Sequence, residues 1–265
     1  MKKTNGYHYS ATVPDTLTGE GYLNYYITVK EKDGSLKTYP SEESGQPITW
    51  DYFDKNAYRI AILSKSTPVY LFNAIEDIDQ MTRHFSGIFA GRQAVSNSSV
   101  VPSRSGNAEL QITVKKLFEE DPEFRTREKI YDYTFDHYTG KKIAERKQDL
   151  SAMKELVFKG RTLNEKANKI QLTLVMKDGS AYGGIISVDK NLQDYHLPLG
   201  DLKPVKYVLM PRPYPTFLPY YFEKSSPVKF DLAEVESLQF SIGPGIPASE
   251  LENAQAIAVE SVRLQ

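Results

Sequence analysis

Residues 169–188 read KIQLTLVMKDGSAYGGIISV. Apolar and polar residues alternate on both sides of Lys177-Asp178-Gly179, and successive side chains of a strand point to opposite faces, so each run acquires one apolar face. Asp-Gly supplies the positive φ that a tight hairpin turn needs. A lone hairpin cannot bury such a face in water, so the pair demands a second layer. Aromatic and β-branched runs broken by Gly, Pro, Asn and Asp continue along almost the whole chain, which predicts an all-β protein.

The runs YHYSATVP, YLNYYITVK and SLKTYP, with a tight turn at EKDG, predict a meander over residues 7–40. The polar stretch 41–56, which holds the single tryptophan Trp50, reads as a connection, followed by two strands in 58–74. IEDIDQMTRHF (75–85) has a helical turn or two, because Ile75, Ile78 and Phe85 share a face. A serine-rich loop and a strand at 108–117 come next, then a strand in IYDYTFDHYTG, with Ile130, Tyr133, Phe135 and Tyr138 as candidates for burial. GKKIAERKQDLSAMKELVF has helix-forming composition, with Leu150, Met153, Leu156 and Val157 at helical spacing. The chain closes on two strands, and a final strand of a closed sandwich pairs beside an early one. The expected organisation is a small β piece over 1–60, followed by a jelly-roll sandwich of eight or more strands over 61–265.

Composition narrows the chemistry. The balance of 33 basic against 34 acidic residues gives no overall field toward nucleic acid or an anionic membrane. Cysteine is absent, which excludes disulfides, thiol nucleophiles and thiolate metal sites. The longest apolar runs fall far short of the roughly 18–20 residues of a membrane-spanning helix. The opening MKKTNGYHYS has two lysines but no apolar core of a signal peptide, so residue 1 is expected to be a boundary, with a signal peptide and a catalytic domain upstream in the native chain. There is no P-loop, no dinucleotide-binding glycine pattern, no nucleophile elbow and no zinc-type histidine pair. Among 34 acidic residues no pair stands out as the two carboxylates of a glycosidase, so the chain is not expected to be an enzyme.

One stretch carries an unusual chemical load. VLMPRPYPTFLPYYFE (208–223) packs four prolines, three tyrosines and two phenylalanines into sixteen positions. Aromatic faces and hydroxyl-reading polar groups together bind sugars, and prolines lower the ordering cost of a binding loop. Arg212, Tyr214, Phe217, Tyr220 and Tyr221 are therefore candidate glycan contacts, together with Phe222 and Glu223. Tyr182, beside Gly183-Gly184, and Tyr195, before His196, are further candidates, and Trp50 is either a stacking platform or a pin between linker and domain. The same residues also read as packing: prolines at strand ends, and aromatics that lid the sandwich.

Two features resemble the C-terminal accessory regions of polysaccharide-utilisation proteins of gut bacteria. YHYSATVPDTLTGEGYLNYYITVKEKDGSLKTYP is similar to the closing strands of a fibronectin type III or immunoglobulin-like domain. PVYLFNAIEDID, LTLVMKDGSAYGGIISV, YHLPLGDLK, LAEVESLQFSIG and AIAVESVRL, in that order, resemble galactose-binding-like jelly rolls, including family 11 carbohydrate-binding modules. The resemblance implies a non-catalytic carbohydrate-binding module that takes a polysaccharide or oligosaccharide, in a secreted, periplasmic or surface-attached protein. It also implies a structural calcium near the junction of first and last strands, where Glu76, Asp77 and Glu260 stand at matching places. The alternatives are a structural or interaction domain that binds no glycan, and a glycoside hydrolase or lyase.

Overall fold

The computed structural model describes the chain apart from residues 7, 18, 41–42, 45–56, 65, 78–81, 86–95, 104, 122–125, 130–132 and 210–219. It divides into two units, Met1–Thr67 and Pro68–Gln265.

Among its described residues the first unit holds three small antiparallel sheets. β1 (Lys2–Asn5) pairs with β2 (His8–Ser10), β3 (Gly21–Tyr25) with β7 (Tyr58–Ile62), and β4 (Ile27–Lys30) with β5 (Leu36–Tyr39), which also takes β6 (Glu43–Ser44). The expected strand YLNYYITVK is thus two strands, broken at Tyr26 and shared between two sheets, so the meander is not continuous. The cause is long-range pairing. β7 captures β3 through stacked Tyr25 and Tyr58 rings 5.2 Å apart, and the Arg59 guanidinium lies 3.6 Å above the Tyr22 ring. The EKDG turn forms as expected: Gly34 has φ +91°, and Asp33 Oδ1 accepts from the Ser35 amide at 2.9 Å. Among the described residues of this unit only Thr38 is buried.

The second unit is a two-sheet sandwich. In sheet 1, β10 (Ser96–Pro102), β11 (Ala108–Val114), β23 (Gln255–Leu264), β15 (Glu155–Thr162) and β18 (Gln193–Pro198) follow in that order. β8 (Val69–Asn73) pairs with the far half of β23, end to end with β11. Sheet 2 runs β19 (Lys203–Pro204), β17 (Ala181–Val188), β16 (Asn168–Met176), β22 (Val235–Ile242), β14 (Tyr133–Tyr138) and β9 (Thr82–Phe85). Every strand pairing in the two sheets is antiparallel. Two ribbons stand apart from them: β12 (Phe118–Asp121) with β13 (Thr126–Lys129), and β20 (Tyr207–Leu209) with β21 (Tyr220–Phe222).

Alternation builds the core. Ile170, Leu172, Leu174 and Met176 of β16, and Leu238, Phe240 and Ile242 of β22, face Leu156 and Phe158 of β15 and Ile257, Val259, Val262 and Leu264 of β23. Phe240 joins the sheets: its ring lies 5.5 Å from Phe72 of β8 and 5.3 Å from Phe135 of β14. Burying a side chain of this size contributes about 1.5–3 kcal/mol. As expected, the final strand pairs with an early one, β23 with β8.

Three expectations are corrected. Thr82–Phe85 form β9 at the edge of sheet 2, not a helical turn. The helix over 140–158 shrinks to α1 (Gly140–Glu145) and a 3-10 turn at Lys147–Ala152, after which Leu156 and Val157 belong to β15. The serine-rich stretch contains β10, paired with β11 from Ser96↔Val114 to Pro102↔Ala108. For β9 and β15 a distant partner strand outweighs local composition, and for β10 the neighbouring strand of a hairpin does so. Of the burial candidates in IYDYTFDHYTG, Phe135 is buried, Tyr138 is 60% exposed and Ile130 lies outside the described residues.

One bulge matters for charge. Lys159 pairs with Ser261 and Gly160 with Val259, so Glu260 is an extra residue in β23. Gly160 is required there, since a Cβ would sit 2.5 Å from the Ala258 carbonyl oxygen. The bulge delivers the Glu260 carboxylate to Lys159 Nζ (2.5 Å), Ser103 Oγ (2.7 Å) and Asn107 Nδ2 (3.2 Å), with Ser105 Oγ also donating. Burial opposes its charge, but these donors outweigh burial and hold its carboxyl at about 2. A folded-state value below the unfolded one adds stability above about pH 4.5, and that stability is lost as pH falls toward 2. Glu260→Gln is therefore expected to flatten the acid limb of a urea stability-versus-pH curve between about pH 4.5 and 2. An unchanged slope would contradict this account of the network.

Candidate functional site

The outer face of sheet 2 carries polar rows. Register places Asp136, Gln239 and Thr173 side by side, and likewise Thr134, Ser241 and Gln171. Thr134 and Ser241 hydroxyls meet at 2.7 Å, Gln171 Nε2 donates to Thr173 Oγ1 at 3.1 Å, and Gln239 Nε2 donates to Asp136 Oδ1 at 2.9 Å. Thr134, Thr173, Gln239 and Ser241 are each less than 5% exposed although they point away from the core.

The β20–β21 ribbon lies over them as a strap. The Gln239 amide behaves like a neighbouring strand's peptide: Oε1 accepts from the Val208 amide at 3.0 Å, and Nε2 donates to the Val208 carbonyl at 2.8 Å. Gln171 Nε2 donates to the Lys206 carbonyl at 3.4 Å. Tyr207 and Phe222, edge-on at 5.4 Å, form a second small apolar cluster with Val175, Ala181 and Val205. Gly183 lets the strap's base approach, because a Cβ would come within 2.3 Å of the Leu172 carbonyl oxygen and 3.1 Å of Val205. On the exit side, Lys224 Nζ binds Asp178 Oδ2 at 2.6 Å and the Asp178 carbonyl at 3.0 Å. That ammonium, with the Ser180 amide, lowers the Asp178 carboxyl to about 2.

Two clefts open beside the strap. One, of about 260 Å³, is lined by Asp136, Lys177, Tyr207, Leu209, Glu236 and Ser237, with Gln239 at its floor. The other, of about 230 Å³, is lined by Gln171, Pro204, Lys206, Tyr221, Glu223 and Pro244. Both fall below the roughly 300–1,000 Å³ of drug-sized pockets. They suit a small polar ring held by a few convergent groups.

The candidates from the sequence separate accordingly. Tyr221 lines the second cleft, and Tyr220 stands on β21 opposite Leu209. Arg212, Tyr214, Phe217 and Trp50 lie outside the described residues. Tyr182 faces the core, against Phe230 at 5.5 Å, and donates its hydroxyl to the Val228 carbonyl at 2.7 Å. Tyr195 packs on Phe158, and its hydroxyl accepts from the Asp189 amide at 2.7 Å. These two tyrosines are packing residues and do not belong to either cleft. Asp136, Gln171, Glu236, Ser237 and Gln239 escaped the sequence reading. On one strand an outward polar residue looks the same over a cleft as in open solvent; only register brings Asp136, Gln171, Ser237 and Gln239 to one face, and Glu236 reaches the first cleft as the extra residue of a bulge.

Glu76, Asp77 and Glu260 do not converge on a shared cation. Asp77 Oδ2 is 2.5 Å from Lys142 Nζ and accepts the Asn73 amide at 2.8 Å. Glu260 is held by Lys159, and Glu76 is exposed on its turn. Calcium takes six to eight oxygens, and an ion here would have to displace two ammonium groups. Among the described residues no group of three or more His, Asp or Glu side chains is placed to hold a metal. Buried His137 lies 3.7 Å from Asp77. Burial pushes its pKa down, against the pull of that carboxylate.

No protein-family model matches the chain, and no curated protein matches it. Among solved structures, it is similar to the family 11 carbohydrate-binding module from Clostridium thermocellum in complex with a beta-1,3-1,4-mixed-linked tetrasaccharide, with 11% identity, 75% of this chain and 96% of that one covered, and a TM-score of 0.47. The family 11 module of the cellulosomal cellulase Lic26A-Cel5E of Clostridium thermocellum shows 10% identity, coverage of 75% and 94%, and a TM-score of 0.46. The agarase AgWH50C shows 13% identity, coverage of 75% and 24%, and a TM-score of 0.40. None of these assigns the chain to a family.

Gln239→Ala is expected to cost about 1–3 kcal/mol, because it leaves the buried Val208 amide and carbonyl without their partner and takes a donor from half-buried Asp136. Hydrogen exchange at the Val208 amide should accelerate by more than global destabilisation explains. Exchange there that merely tracks global stability would show that the strap is held by something else.

Proposed function

We propose that the chain is a non-catalytic glycan-binding module whose binding surface is the outer face of sheet 2 around the strap. The observation that carries this reading is the 260 Å³ cleft, where the Asp136 and Glu236 carboxylates and the Ser237 hydroxyl converge beside Tyr207 and Leu209. A sugar ring presents hydroxyls at its rim and C–H groups on its faces, so it needs both kinds of wall. Gln239 holds Asp136 Oδ1, which fixes the carboxylate's orientation and leaves Oδ2 to accept a sugar hydroxyl. Such charge-assisted bonds are worth roughly 1.5–3 kcal/mol each. Leu209, 36% exposed, supplies apolar area at the rim. In this reading the module serves an exported or surface-attached glycan-processing protein and raises local concentration on a polymer. The first unit then stands as an immunoglobulin- or fibronectin-like spacer.

Tyr207 and Phe222 spend their rings on packing, which is the feature that favours the other reading, an interaction domain without a glycan. Affinity electrophoresis against plant, algal and host polysaccharides separates the two. The expected result is retardation on at least one polysaccharide, weakened in Tyr221→Ala and lost in Asp136→Ala, which melts below the parent because Gln239 loses an acceptor but stays folded at the assay temperature. No retardation on any glycan would make the strap a piece of packing and the chain an interaction domain.

A further inference from the structure

We infer that the Asp136 cleft sorts glycans by charge and rejects acidic ones, those bearing uronate carboxylates or sulfate esters. The inference rests on the reading of this face as a glycan-binding surface, and the charge balance of the lining carries it. Three charged side chains, two acidic and one basic, line the cleft: Asp136, Glu236 and Lys177. Lys177 does not neutralise the other two, since its Nζ lies 3.3 Å from Glu234 Oε2, a carboxylate that is not part of the lining. Asp136 is bonded by the neutral amide of Gln239. Among the described residues neither Asp136 nor Glu236 has a lysine or arginine within ion-pair distance.

Several carboxylates elsewhere are paired. In the second cleft, Lys206 faces Glu223 at 3.7 Å. On the outer face of sheet 1, Arg263 binds Asp194 at 2.6 Å, Arg161 grips Glu109 through two bonds of 3.0 and 3.1 Å, and Lys159 sits on Glu260. Among the described residues, the cleft thus brings together two carboxylates with no ion-pair partner at the place where hydroxyl acceptors also converge. A carboxylate can take a sugar hydroxyl's proton as an acceptor, but it repels a second anion brought within a few ångströms, and walls that exclude water strengthen that repulsion.

The test starts from whichever neutral polysaccharide retards the chain. Two derivatives of that same backbone are compared, one carboxymethylated and one hydroxyethylated, so that substituent bulk is matched and only charge differs. At low ionic strength the carboxymethylated polymer is expected to retain the chain roughly fivefold more weakly. The gap should close near 1 M salt, where the screening length falls to about 3 Å. It should also narrow in Glu236→Gln and close in Asp136→Asn/Glu236→Gln, the asparagine Oδ1 still accepting from Gln239. Glu236 is exposed, so the single variant keeps the test open if the double variant folds poorly. Equal or tighter retention by the acidic polymer at low salt would overturn the inference alone. So would a gap that survives both high salt and the substitutions, because that would be steric. No retention by any polysaccharide would overturn the glycan reading and this inference with it.

Discussion

The hydrogen bonding of β23 on both its edges is the constraint on which the sandwich depends. β11 and β8 share one edge end to end, and β15 occupies the other, so the last ten strand residues of the chain sit at the centre of sheet 1. Nine of those ten are buried, and a buried backbone leaves no amide or carbonyl free to turn to water. The register of β23 is interrupted at Glu260 against β15 and between Val262 and Arg263 against β8, and the Glu260 bulge is answered by a lysine, two serines and an asparagine. Acidic side chains at such depth persist only when paired and hydrogen-bonded. Here the pairing also fastens the Ser103–Asn107 turn of the β10–β11 hairpin to the central strand.

Sheet 2 solves a different problem. Its inner face packs against sheet 1 through apolar side chains, while its outer face is polar and nevertheless covered. The strap covers it through side-chain amides that imitate peptide groups, with a small apolar cluster at one side. A polar seam has to satisfy every donor and acceptor individually, and the spaces left at its two ends retain unsatisfied acceptor capacity. The binding reading therefore turns on those ends. The proline-aromatic stretch accordingly has a divided role: Phe222 packs against Tyr207, which precedes the stretch, whereas Leu209 and Tyr221 border open clefts.

Much of the fold was legible because its signals are local. The hairpin at 169–188 declared itself through Asp178-Gly179 and alternation, and Gly179 adopts φ +82° as that turn requires. The closing strands were visible as apolar alternation. β9 and the split between β3 and β4 were not, since each is fixed by a partner far away in sequence, and β10 was hidden because its serines read as loop although its partner β11 follows directly. The candidate site was less legible still. Tyr182 and Tyr195 attracted attention as aromatics, yet a half-buried tyrosine packs its ring and needs only one partner for its hydroxyl, which the Val228 carbonyl and Asp189 amide supply. Gln239 and Asp136 gave no signal at all, because a glutamine on a strand betrays its bond to a strap only when the strap is in place.

Hydrogen–deuterium exchange of the intact chain, with and without a saturating mixture of plant and algal oligosaccharides, tests the central claim most directly. The account predicts added protection confined to β14, β22, the 175–179 turn and the strap residues 205–209 and 220–223. Protection on β8, β15 or β18 of sheet 1 without change on these segments, or no protection anywhere, would contradict it.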